Sequence, residues 1–352
     1  MRKLVGVLIG CGAISREHLG AVAQIEAVEL AAVCDISAAR AEATAERFGV
    51  AKWYTSHASL LSEIRPDLVH ITTPPISHAA IATDCLMAGL NVLCEKPLTA
   101  KYSEFAPLKS LALERRCMLM ENQQFRFHSS VRQLQQFLAS GELGDLLEVQ
   151  ICISLNITAT GSPYVDPSVP HFGLSLAGGV IGDFLPHMAY LARMFAGPIV
   201  DVRTTWAKHK IATPLPADEF RGLMRGDRAT AYLSFSGNAG PDAFLVRLIG
   251  TRMRVESNLF EPPRLTTKRT RRGEPALMSF VDGVVESGDV FKGSFAGLYR
   301  KFGGISSYDG LPEFIAETYR ALELGQPQPI GLDEIEEIVS LVDRLATLEF
   351  KI

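Results

Sequence analysis

The first third of the chain alternates apolar runs with segments of helical spacing. Leu4–Ile9, Val28–Cys34, Leu68–Thr72 and Asn91–Cys94 are largely apolar and of strand length. Between them, Ile14, His18, Val22 and Ile25 recur at helical intervals. A helix is predicted over Ser37–Phe48, with Ser37 as N-cap and Gly49 as stop, and another over Ile76–Ala88, ended by Gly89. Strands that are apolar on both faces and separated by helices imply a parallel, doubly wound α/β sheet. From about Ser129 the rhythm changes. A helix over Ser130–Ala139 leads into Leu146–Leu155, where apolar and polar positions alternate, and 200–206, 229–236, 243–249 and 252–257 also read as strands. Helices over Gly310–Leu324 and Asp333–Leu348 follow. This second region predicts an α+β domain on a large, mainly antiparallel open sheet.

At roughly 100–200 residues per domain, 352 residues suit two domains. A net charge of -4 provides no global basic field, so neither nucleic acid nor an anionic membrane is an expected partner. Cys11, Cys34, Cys85, Cys94, Cys117 and Cys152 form no CxxC pair and read as reduced core thiols of a cytoplasmic protein. No apolar stretch approaches the ~18 residues of a membrane span, and the N-terminus carries no targeting pattern. The basic cluster Lys268–Arg272 lacks interleaved aromatics and reads as a solvated loop; a phosphate-bearing substrate or a subunit contact there stays open.

The chemistry begins at Gly10–Ser15, "GCGAIS". It follows a predicted strand and opens a predicted helix, the context a dinucleotide-binding loop requires. Gly10 makes the turn, Gly12 lets backbone approach a pyrophosphate, and the helix behind Ala13 and Ile14 aims its N–H groups at that charge. Asp35 ends the second strand, where a carboxylate accepts from an adenosine ribose and repels a 2′-phosphate, favouring NAD. Ser37 and Arg40 lie nearby and leave NADP open. Lys96, in "LCEKPLT", stands at the carboxyl end of a strand, where ligands of open parallel sheets bind, and Pro97 stiffens the chain behind it. Asp183 and His187 share a helix face at a spacing of four. Pro186 fits only a first turn at low cost, so that helix is expected to begin close to Asp183, after Gly178 and Gly179 have let backbone approach cofactor or substrate. No metal site is indicated, and His18, His57 and His70 read as structural.

With "GCGAIS", "TTPPISH" (72–78), "CEKPLT" (94–99) and "GGVIGDFLPH" (178–187) in this order, the chain resembles the Gfo/Idh/MocA oxidoreductases, the glucose–fructose oxidoreductase and inositol dehydrogenase-like family. The resemblance implies a Rossmann domain over 1–125, a substrate-binding and oligomerisation domain over 126–352, and a nicotinamide lying between them. It implies that Lys96 reaches both the nicotinamide ribose and the substrate, that Glu95 beside it is a cofactor-binding residue, and that Lys96, Asp183 and His187 are catalytic. His187 would take a hydroxyl proton, Lys96 would stabilise the alkoxide, and Asp183 would bind substrate or orient His187. Thr73 and Pro74 would shape the loop beside the ribose, while His78 is a cofactor neighbour or a local cap. Arg126 is the family's usual arginine on the substrate side. The loop Thr158–Gly173 is long enough to be functional, and its Tyr164 and His171 are candidate substrate contacts. Departures are His128 where relatives carry proline, Tyr190 where they carry aspartate three residues after the histidine, and no Trp-Arg pair before the double glycine. The expected activity is NAD(P)-dependent oxidation or reduction of a sugar, cyclitol or sugar derivative by a homodimer or homotetramer. A non-catalytic NAD(P)-sensing regulator, or a redox-neutral hydrolase or epimerase with recycled NAD, remain as alternatives.

Overall fold

The computed structural model describes residues 2–166, 168, 171–269 and 308–347. They form two compact units, one of residues up to Gln124 together with Gly310–Asp343, the other of the remainder. The helices expected to follow the second sheet within 126–352 thus pack, up to Asp343, in the first unit.

In the first unit, β1 (Leu4–Ile9), α1 (Ser15–Val22), β2 (Val28–Cys34), α2 (Ala38–Phe48), β3 (Lys52–Tyr54), α3 (His57–Glu63), β4 (Leu68–Ile71), α4 (His78–Met87), β5 (Asn91–Cys94), α5 (Tyr102–Arg115) and β6 (Leu119–Glu121) succeed one another. The strands form one parallel sheet in the order β3-β2-β1-β4-β5-β6, the doubly wound arrangement expected. Val7, Leu8, Val69, Ile71, Val92 and Leu93 are fully buried, each contributing about 1.5–3 kcal/mol. Helix α2 starts and stops as its sequence dictates: Ser37 accepts from the Arg40 N–H and Gly49 takes a left-handed conformation at φ 66°. Two helices from the far end of the chain, α8 (Leu311–Leu324) and α9 (Leu332–Leu345), complete this unit. Lys109 of α5 ties α9 down through Asp333 and Glu336.

In the second unit, α6 (Ser129–Ala139) precedes β7 (Leu146–Ser154), α7 (Val180–Ala196), β8 (Ile199–Ala207), β9 (Glu219–Gly226), β10 (Thr230–Ser236), β11 (Ala243–Gly250), β12 (Met253–Asn258) and β13 (Thr266–Arg269). The seven strands run β13-β12-β11-β7-β10-β9-β8, antiparallel except for the parallel pair β7–β10. Period-two alternation turns Val149, Ile151, Phe220, Leu233, Phe235, Phe244 and Val246 into the core, with α7 packed against β7, β9 and β10. His128, the departure from proline, caps α6 by accepting from the Ser130 N–H at 3.1 Å. Of the basic cluster, Lys268 and Arg269 lie exposed on β13 rather than in a turn, and 270–272 fall outside the described residues.

Helix α7 corrects the expectation for Pro186. It starts at Val180, so Asp183 lies within the first turn and Pro186, three residues further on, is interior. The entry is set by packing. Gly178 and Gly179 take φ 80° and 64°, and a Cβ on them would lie 2.6 Å from the Trp206 ring and 2.5 Å from Pro216 Cδ. That turn fixes Gly179 as N-cap, and burial of Val180 and Ile181 offsets the interior proline, about 3 kcal/mol.

Candidate active site

The expected phosphate loop, Gly10–Ser15, is the first βα turn. Gly10 takes φ 102°, and a Cβ there would lie 2.6 Å from the Thr73 nitrogen, so the turn closes against the β4 end. Thr72 seals it by donating its hydroxyl to the Gly10 carbonyl at 2.5 Å. Gly12 differs: a Cβ on it would meet nothing within 4 Å, and α1, with Ile14 at its N-cap, has no side-chain cap. Ala13 is exposed and Ile14 half-buried. Asp35 is buried and accepts from the Cys11 N–H through one oxygen and the Ser37 N–H through the other, both at 2.9 Å. Each carboxylate oxygen has a second lone pair for a further donor. The Arg40 guanidinium stands 3.7 Å from Asp35 Oδ2.

Beyond the carboxyl ends of β4–β6 lies a second group of polar residues. Lys96 follows Glu95 at the end of β5, and the Lys96–Pro97 peptide is cis. Glu95 is buried and accepts from His18 Nε2 at 2.8 Å, Asn122 Nδ2 at 2.6 Å and its neighbour's N–H, Lys96, at 3.3 Å. Burial opposes its charge, yet His18, the Lys96 ammonium and Asn122 hold the carboxyl below its ordinary range. Glu121 accepts from the Leu98 N–H and Gln123; burial leads and raises its pKa. His78 is fully buried, its nitrogens on the Pro97 carbonyl at 2.8 Å and the Thr73 carbonyl at 2.7 Å, and burial lowers its pKa. It therefore ties the Thr73–Pro74 loop to the segment behind Lys96. Pro74 is exposed and Thr73 half-buried.

These residues fit a dinucleotide. The Gly12 face is open beside an uncapped helix start, the place for a pyrophosphate. Asn122 Oδ1 is a buried acceptor with no protein partner, because its Nδ2 has to face the Glu95 carboxylate. It suits a donor such as a carboxamide or ribose hydroxyl.

In the second unit, α7 presents Asp183 and His187, both less than a tenth exposed. His187 Nδ1 lies 2.8 Å from Tyr190 Oη, and the same hydroxyl accepts from the Phe125 N–H at 3.3 Å. Tyr190 thus orients His187 without a carboxylate's charge, and the Phe125 ring stands edge-on to it at 4.9 Å. Tyr164 and His171 come together, ring centroids 4.8 Å apart. Burial raises the Tyr164 pKa, with the Asp183 carboxylate adding to it. His171 also caps the turn that follows by accepting from the Gly173 N–H. Arg126 is half-buried in a 3-10 turn, Gln124–Phe127.

Sequence reasoning missed Asn122, Glu121 and Tyr319, and did not join His18 and His70 to Glu95. Adjacency of Asn122 to the end of β6 was the available sign; nothing local marks Tyr319. Burial lifts the Cys11 and Cys34 thiols to about 11, so neither is a nucleophile at neutral pH. Among the described residues, no group of three or more His, Cys, Asp or Glu side chains could hold a metal ion, and no helix is long and apolar enough to cross a membrane.

Comparison with known proteins matches residues 5–123 to an oxidoreductase family with an NAD-binding Rossmann fold and residues 131–256 to the GFO/IDH/MocA C-terminal domain. A D-apiose dehydrogenase of Paraburkholderia graminis is 29% identical over 144 residues, 41% of this chain and 38% of that protein. A dTDP-3,4-didehydro-2,6-dideoxy-alpha-D-glucose 3-reductase of Streptomyces violaceoruber is 32% identical over 221 residues, 62% of this chain and 60% of that protein. The matches therefore span only 38% and 60% of these relatives' lengths. An Agrobacterium radiobacter oxidoreductase, solved with NAD+, L-tartaric acid and magnesium, shares the fold at a TM-score of 0.77 and 18% identity, covering 97% of this chain and 94% of its own.

Proposed function

The chain belongs to the GFO/IDH/MocA oxidoreductase family, and from that premise we propose that it transfers hydride between NAD and a secondary alcohol or keto group of a sugar, cyclitol or sugar derivative. The observation that carries this reading is the retained set of Lys96, Asp183 and His187. A sensor of the cofactor would need the phosphate loop alone. When bound, the nicotinamide supplies the hydride acceptor. Gly10, Gly12, Ala13 and Ile14 would hold the pyrophosphate, Asp35 the adenosine ribose, and Thr73, Pro74 and Glu95 the nicotinamide side, with His78 fixing the Thr73–Pro74 loop from behind.

In the oxidative direction His187 takes the carbinol proton, its ring set by Tyr190. Lys96 stabilises the negative charge that develops on the substrate oxygen. Asp183 binds substrate hydroxyls, with Arg126, Tyr164 and His171 as further contacts. The Asp35 carboxylate favours NAD by repelling a 2′-phosphate, and Arg40, already directed at Asp35, weakens that preference without reversing it. Relatives named for D-apiose and for a dTDP-linked keto sugar support the sugar class.

The homo-oligomer forms through the outer face of the seven-stranded sheet, where Cys152, Leu223, Tyr232 and Leu245 alternate outward, Leu223 52% exposed. A cytoplasmic location agrees with six free cysteines. Nicotinamide absorbance during incubation with cyclitols, free sugars and nucleotide sugars, with NAD and NADP in parallel, tests the proposal. Turnover is expected, and Lys96→Ala and His187→Ala are each expected to lower it by about 100-fold or more. Turnover that survives both substitutions would overturn the assignment, and tight cofactor binding without turnover would favour the sensor or the redox-neutral enzyme.

A further inference from the structure

A line of buried polar groups runs behind Lys96, and three of its members, His18, His70 and Tyr319, have no part in the mechanism above. His18 on α1, His70 on β4, Glu95 after β5, Asn122 after β6 and Tyr319 on α8 are all at most 7% exposed. Tyr319 Oη meets His70 Nε2 at 2.9 Å, His70 Nδ1 meets His18 Nδ1 at 3.0 Å, and His18 Nε2 meets Glu95 Oε1 at 2.8 Å. The partners come from opposite ends of the chain. Gly6 admits Tyr319, since a Cβ there would lie 2.3 Å from its hydroxyl oxygen.

The direction of each bond follows from what each atom can do. An ionised Glu95 only accepts, so His18 Nε2 donates. With His18 neutral, its Nδ1 is an acceptor and His70 Nδ1–H must donate to it. His70 Nε2 is then the acceptor, and Tyr319 donates its hydroxyl. Burial, and then His18, holds the His70 pKa well below the usual value, while burial raises that of Tyr319; both therefore stay neutral. Every contact has one donor and one acceptor, and the three bonds all point at Glu95. Such chains polarise one another, and an unpaired member would be costly at this depth.

We propose that His18, backed by His70 and Tyr319, is a positioning residue that keeps Glu95 ionised and fixed beneath Lys96. The catalytic part of this inference rests on the role proposed for Lys96. The titratable groups facing Glu95 are His18, Lys96, Glu121, His78 and Cys94, with His70 and Tyr319 acting through His18. The sign is fixed by that set. Glu95 is held low partly by the His18 bond, so losing the bond raises its pKa, and the charge is kept above the new midpoint and lost below it.

The test is the titration of the Glu95 carboxyl by 13C NMR in the full chain, assigned with Glu95→Gln, beside the pH profile of turnover. His18→Ala is expected to raise the Glu95 midpoint and to give turnover a new limb that falls as pH is lowered. His18→Gln, which can keep an N–H toward Glu95, is expected to restore most of both. Should His18→Ala not fold, Tyr319→Phe and His70→Leu test the same line from behind, each with a smaller upward shift. An unmoved midpoint in the folded variants would overturn the proposal even if Lys96→Ala abolishes turnover. A raised midpoint with turnover unaffected by Lys96→Ala would leave the Glu95 assignment standing and remove the catalytic role of Lys96.

Discussion

Two glycine turns, one in each unit, look alike in sequence and differ in physics. In Gly10-Cys11-Gly12 the first glycine is pressed against the backbone of Thr72 and Thr73, while the second faces open space beside the start of α1. In Gly178-Gly179 both glycines press on the protein itself, on Trp206 and Pro216. Gly12 therefore leaves room that a ligand could take, whereas the double glycine is filled by packing. The expectation that Gly178 and Gly179 admit cofactor or substrate is replaced by this internal contact. What the pair does for the site is indirect: it sets where α7 begins, and so where Asp183 and His187 stand on it.

Substitutions can break that contrast. The largest effect is expected for Gly10→Ala, where a φ of 102° and backbone atoms within 2.6–2.8 Å combine. A loss above about 3 kcal/mol in denaturant unfolding is expected, because neither neighbour is a flexible side chain. Gly178→Ala and Gly179→Ala should each cost roughly 2–4 kcal/mol with NAD affinity little changed, since the strain lies in the other unit. Calorimetry read beside NAD titration separates the two quantities. Gly12→Ala should do the reverse, leaving Tm unchanged or slightly raised while NAD binds about tenfold or more weakly. A destabilised Gly12→Ala protein with normal NAD affinity would erase the distinction. Smallest is Ser37→Ala: its 3.4 Å cap bond is long, and about 0.5–1 kcal/mol of stability is expected to go.

Legibility in the sequence followed burial. Leu4–Ile9, Val28–Cys34 and Asn91–Cys94 were readable residue for residue because most of their side chains are covered, Glu29 being exposed. β3 and β13 were not, being short strands at sheet edges with mostly exposed side chains. α5 carries Pro107 in its interior, and β9 interrupts its alternation with Gly222. At the site, residues bound to local motifs were legible: Gly12, Asp35, Lys96, Asp183 and His187. The family match bears out the resemblance and the fold, while the roles of those residues remain with the proposed experiments. Partners contributed by distant segments had no local mark. Tyr319 meets His70 across 249 positions, and only the folded chain brings them together.

The return of α8 to the first unit has a consequence for biosynthesis. A ribosome delivers all six strands of the NAD-binding sheet by Glu121, but Leu311, the start of the helix that buries Phe314, Ile315 and Tyr319, comes much later. At about 5–20 residues per second, the intervening ~190 residues take roughly 10–40 s. Throughout that interval the nascent sheet lacks this cover, and His70 has no hydroxyl to meet. The domain that starts the chain is thus among the last to be finished, and a fragment cut after Gln124 is expected to behave as an unfinished protein rather than as a free-standing NAD-binding module.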